Sequence, residues 1–145
     1  MKRGRLREDV IRVKIAEIHE CVDLVRDNLP KTYDAFSRLG IIKDGIYKRM
    51  EFAIEDVFDI CAVINTDRVL GIPGADEEIL NNLVVAGILS PGIIDTVRRM
   101  RGFRNIVVHR YGKIDDRLAF DLLNEELGDF DQFIGEIEKF LSGHD

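Results

Sequence analysis

Residues 11–29 read IRVKIAEIHECVDLVRDNL. Ile11, Ile15, Ile18, Val22, Val25 and Leu29 recur at steps of four and three, which places them along one face of an α-helix with charged residues between them. The same spacing returns in Met50, Ile54, Val57, Cys61 and Ile64, and again in Leu123, Leu127, Phe130, Ile134, Ile137 and Leu141. Each set is a single apolar seam. Seams of this length, joined by loops, are what antiparallel bundle helices need to bury against one another. No period-two alternation interrupts them, so the chain is read as all-α, an antiparallel helical bundle of four to five helices.

Punctuation residues fill in the remainder. Pro30 ends the first helix, and the stretch to Gly45 reads as a loop with one short helix near Tyr33 to Leu39. A further short helix is expected from about Asp76 to Ala86, with Gly87 as its stop. The loop before it holds Gly71 and Gly74, which are read as turn glycines because no strand precedes them and no Lys-Ser/Thr follows. A fourth long helix starts with Ser90 as its cap and Pro91 at its first position, and Gly112 supplies its stop. Asp115 and Asp116 offer caps for the last helix.

At 145 residues the chain is read as a single domain, residues 1–145, able to bury a core without metal or disulfide support. Its apolar fraction of 46% and charged fraction of 33% suit a folded helical protein. The N-terminus MKRGRLREDV lacks the apolar run of a signal peptide, and no apolar stretch is long enough to span a bilayer, so a cytoplasmic location away from membranes is expected. Lys2, Arg3, Arg5 and Arg7 read as a mobile solvated tail. Cys21 and Cys61 fall in apolar helical settings and read as core thiols, while His19 and His144 have no companion residues; no metal-ligand set is seen and no cofactor is implied.

One segment departs from this ordinary pattern. Residues 98–113, RRMRGFRNIVVHRYGK, contain six basic side chains and no acid in a chain of formal net charge -6. With Val97 as the zero of a helical wheel, Ile93, Met100, Val107 and Val108 lie within about 80° of it, and Arg104 falls near the middle of that apolar arc. Tyr111 shares its direction. A guanidinium in such a place must meet a carboxylate, a ligand or a partner subunit, because desolvating it alone costs several kcal/mol. His109 points roughly 140° away from Arg104, beside Asn105 four residues earlier. Bringing Arg104 and His109 to one phosphate therefore takes a distorted helix end or the same helix from a second chain, and the second chain is favoured. The acidic stripe of Glu51, Glu55 and Asp59 is read as a solvated face that could instead oppose Arg104 across a dimer.

Arg104-x4-His109-x-Tyr111, with Asn105 and the surrounding GFRNIVVHRYGKID, resembles the signature of the HEPN superfamily and, more closely, of its HepT-type ribonuclease toxins. The resemblance implies a dimerising helical bundle and a metal-independent endoribonuclease, with Arg104 contacting phosphate, His109 catalytic and Asn105 supporting. It further implies a MntA-type nucleotidyltransferase antitoxin that transfers AMP to Tyr111. Arg110 stands where that branch often has an acid. Arg98, Arg101, Arg110 and Lys113 are further candidates for RNA contacts.

The chemistry fits these residue types. Cleavage of RNA by its own 2′-hydroxyl needs a base, an acid for the leaving 5′ oxygen and positive charge for the phosphorane; His109 and Arg104 can supply them. The alternative from another class is a non-catalytic helical module that binds a nucleotide or a nucleotidyltransferase partner. A third reading is a structural bundle in which Arg104 is held in a core salt bridge.

Overall fold

The computed structural model describes residues 5–72, 74–108 and 114–143. Seven helices follow one another: α1 (Glu8–Asn28), α2 (Tyr33–Ser37), α3 (Ile41–Asp67), α4 (Asp76–Val85), α5 (Ile93–Val108), α6 (Asp116–Glu126) and α7 (Asp129–Gly143). No strand occurs among the described residues.

The cross-helix ion pairs give the directions of the long helices. Arg7 meets Asp67 while Lys14 meets Asp56 and Asp59, so α1 and α3 run antiparallel. Arg12 pairs with Glu138 and Arg26 with Asp131, which sets α7 antiparallel to α1. Ser90 bonds Glu136 and Arg99 pairs with Asp129, which sets α5 antiparallel to α7. The expected up-and-down bundle is therefore present. Its core joins the α1 seam to Ile46, Met50, Ile54, Val57, Ile60 and Ile64 of α3 and to Phe130, Phe133 and Ile137 of α7. Ile18 and Ile54 are fully buried, and truncating either to alanine costs about 2–5 kcal/mol. Cys21 and Cys61 are buried free thiols, and burial pushes Cys61 up to about 12.

Four local expectations are corrected. First, α3 begins at Ile41 rather than after Gly45, because Gly40 takes φ 62 and turns the chain directly into a helix whose Ile46 and Tyr47 extend the buried face. Second, the seam from Leu123 to Leu141 is buried as read, yet it is divided between two helices by Leu127 and Gly128. Arg99 reaches both sides of that break, lying 3.6 Å from Glu126 and 3.3 Å from Asp129. Third, Ser90 does not cap α5, which starts at Ile93; its N–H and hydroxyl both donate to Glu136, at 2.7 and 2.6 Å. Fourth, Arg7 is no tail residue. Its backbone N–H and guanidinium both donate to Asp67, and hydrogen bonds from Arg7 outweigh burial to hold that carboxyl below the usual carboxylate range.

Other signals were read correctly. Asp115 accepts from the N–H of Leu118 and caps α6. Gly87, at φ +76, closes α4 in a Schellman turn, with Ile88 N–H donating to Leu83 O and Gly87 N–H to Val84 O.

Candidate functional site

Helix α5 presents the basic segment. It buries Ile93, Thr96, Val97, Met100, Phe103 and Val107. The inclusion of Thr96 and Phe103 turns the centre of the buried stripe about 60° from Val97. Arg104 consequently lies toward an edge of the stripe, not at its middle, and it is half-buried. Asn105 is exposed. His109, Arg110, Tyr111 and Lys113 lie outside the described residues.

The arginines of this helix divide into two kinds. Arg98 donates through Nε to Glu77 at 2.9 Å and also reaches Asp95 at 3.4 Å; Arg101 lies 3.5 Å from Glu77; Arg99 is held by Glu126 and Asp129. Arg104, in contrast, makes no hydrogen bond or ion pair with any described residue. A core salt bridge for Arg104 is thereby removed among the described residues. At an edge of the stripe the half-buried guanidinium is open to water, which a ligand or a second chain would replace. The acidic stripe on α3 has nearer partners of its own: Glu51 lies 3.2 Å from Lys48, and Asp59 lies 3.3 Å from Lys14.

The start of α6, where description resumes after 109–113, is firmly placed. Tyr47 donates its hydroxyl to Asp116 at 2.5 Å and Lys43 donates to the same carboxylate at 2.6 Å. Burial would raise the Asp116 carboxyl, but these two donors outweigh it and hold it below the usual range; burial and the adjacent Asp116 push the Tyr47 phenol up. Sequence reasoning missed this anchor because Tyr47 and Asp116 are 69 residues apart. It missed Glu77 for the same reason, having read α4 only as a short helix.

A cleft of about 670 Å³ opens elsewhere, at the start of α5, with Arg68, Ser90, Glu136, Lys139 and Phe140 among its lining. From the first residue of α5, Arg104 lies about 16 Å along the helix axis, so this cleft and Arg104 are different places.

The chain is similar to several known proteins. It is 27% identical over 130 residues to the mRNA nuclease HepT of Shewanella oneidensis, covering 90% of this chain and 97% of that protein. A putative RNase of Archaeoglobus fulgidus is 28% identical over 100 residues, covering 67% of this chain and 73% of that one. Among solved structures, a tri-AMPylated HEPN toxin of Shewanella oneidensis in complex with MNT antitoxin superposes with a TM-score of 0.80 at 27% identity, covering 90% of this chain and 98% of the other. The cytosolic protein YutE of Bacillus subtilis, at 15% identity and a TM-score of 0.77, shares the fold. Residues 18–137 match the ribonuclease HepT-like family, and the chain belongs to that family as an all-α endoribonuclease of the HEPN superfamily.

Proposed function

We propose that the chain is the toxin of a toxin–antitoxin pair, a metal-independent endoribonuclease of the cytoplasm that cleaves RNA at a site shared by two copies. The observation that carries this reading is the half-buried Arg104 without an acid partner among the described residues, on a helix where Arg98, Arg99 and Arg101 each have one. Arg104 binds the scissile phosphate and stabilises the charge that grows on its oxygens. His109 removes the 2′-hydroxyl proton as that oxygen attacks phosphorus, and the second copy's histidine protonates the departing 5′ oxygen. Asn105 orients the His109 ring. Arg110 and Lys113 add backbone contacts, while Arg98 and Arg101 are already held by Glu77.

Regulation follows from Tyr111. A nucleotidyltransferase antitoxin of the MntA type transfers AMP to its hydroxyl, and the added phosphate competes for the arginine that RNA needs. The tri-AMPylated Shewanella toxin, held by its MNT antitoxin, supports the pairing. The test is in cells and by mass. Expression of the chain is expected to arrest growth, with Arg104→Ala and His109→Ala each harmless at equal protein level. Co-expression with an adjacent nucleotidyltransferase is expected to add AMP-sized masses that Tyr111→Phe abolishes. Arrest by either variant would contradict the catalytic assignment, and additions that persist in Tyr111→Phe would contradict the regulatory one.

A further inference from the structure

Arg98, Arg101 and Arg104 follow one another at three-residue steps, so they form an inclined row along α5 toward its C-terminal end, each turned about 60° from the last. Their surroundings are unequal. Glu77, in the first turn of α4, accepts from Nε of Arg98 at 2.9 Å, accepts again from its Nη2, and has Nη2 of Arg101 at 3.5 Å. One carboxylate thus serves two guanidinium groups, and the next arginine in the row has no acid partner among the described residues. The fork that an arginine offers to a carboxylate is the fork it offers to a phosphate. Glu77 therefore occupies the place that an RNA phosphate would take at Arg98 and Arg101.

We propose that Glu77 is a specificity-setting residue that acts as an internal stand-in for phosphate, neutralising Arg98 and Arg101 so that an RNA backbone gains most at Arg104. This inference rests on the reading of α5 as the RNA-binding face. A phosphate arriving at Arg98 or Arg101 has to displace Glu77 or lie beside its negative charge, and either outcome disfavours binding displaced along the helix. Asp95, 3.4 Å from Arg98, acts in the same direction. Glu77 Oε2 is buried without a hydrogen-bond partner among the described residues, so the hold on Arg101 is ionic, through a contact of 3.5 Å. The Arg98 guanidinium in turn keeps the Glu77 carboxyl below its ordinary range, so it stays charged at neutral pH.

The experiment measures binding of a fluorescein-labelled single-stranded RNA by anisotropy across a salt series, using full-length protein carrying His109→Ala to prevent cleavage. Adding Glu77→Gln is expected to tighten binding several-fold. The slope of log affinity against log salt should steepen by about 0.7 for each arginine released, or about 1.4 for both. Glu77→Met, uncharged and compatible with a helix, must give the same tightening, which separates charge from packing. With Glu77 intact, Arg98→Ala should change affinity little; in the Glu77→Gln background it should reverse much of the gain. If Arg104→Ala weakens RNA binding but neither Glu77 variant strengthens it or changes the slope, the role of Glu77 is overturned while the RNA-binding face stands. Should Arg104→Ala leave binding unchanged as well, the reading of α5 itself fails, and the inference with it.

Discussion

Arg104 and Asp56 are both ionisable side chains on the inner sides of long helices, and burial treats them differently. Arg104 is half-buried at an edge of the α5 stripe, open to a ligand. Asp56 is 5% exposed between α3 and α1, with Lys14 3.8 Å away and its Oδ2 lacking a hydrogen-bond partner among the described residues. Burial, with the Glu17 carboxylate alongside, pushes the Asp56 carboxyl up to about 7 against the pull of Lys14. In the unfolded chain this group releases its proton near its ordinary value of 3.8. Between those values the folded state holds more protons than the unfolded one, so the contribution of Asp56 to stability falls as pH rises through that window. Asp56→Asn keeps the shape and removes the charge. Its melting temperature relative to the parent is expected to climb from pH 5 to pH 7.5; a variant that is less stable than the parent at pH 7.5 would show that the Lys14 pair outweighs the burial of the charge.

At the scale of elements, two helices end in the same turn with different residues. Gly87 closes α4 with positive φ at little steric cost, whereas α3 closes with Val69 at φ 52, Leu70 N–H donating to Asn65 O and Val69 N–H to Thr66 O. A β-branched side chain in that left-handed position is strained by about 1–2 kcal/mol. Val69→Gly is therefore expected to stabilise the protein by about 1 kcal/mol, after allowance for the greater freedom of glycine in the unfolded chain, as measured by urea denaturation. No gain, or a loss, would mean that the half-exposed Val69 side chain contributes packing that offsets the strain. The helices themselves were legible from their seams, because a buried face must repeat with the helical period. Their breaks were less so. Leu123 to Leu141 keeps its period across Gly128, so nothing local announced that α6 and α7 are separate. Ser90 has the local form of a cap, but Glu136, 46 residues away, binds both its N–H and its hydroxyl. Arg7, Tyr47 and Glu77 likewise owe their roles to partners on other helices, which spacing along one helix does not disclose.

At the scale of the whole molecule, a net charge of -6 is combined with a single helix rich in arginine, most of it already matched by acids from α4, α6 and α7. Such a surface suits one defined phosphate contact better than broad attraction to nucleic acid. Five residues separate Arg104 from His109 in the sequence, a spacing that an ideal helix turns through about 140°, so the proposed site calls for two chains. Sedimentation velocity should show at least a dimer under assay conditions, with specific activity falling on dilution as monomer forms; a monomer of full specific activity would exclude a shared site. In the proposed mechanism Arg104 and His109 cleave RNA without a metal ion. The most direct measurement is cleavage of a labelled single-stranded RNA in EDTA by the unmodified protein, Arg104→Ala and His109→Ala, each checked for parent-like helical content by circular dichroism. The unmodified protein is expected to cleave and both variants to fall by at least about 100-fold. Parent-level cleavage by either variant, or loss of cleavage by the unmodified protein in EDTA, would contradict that mechanism.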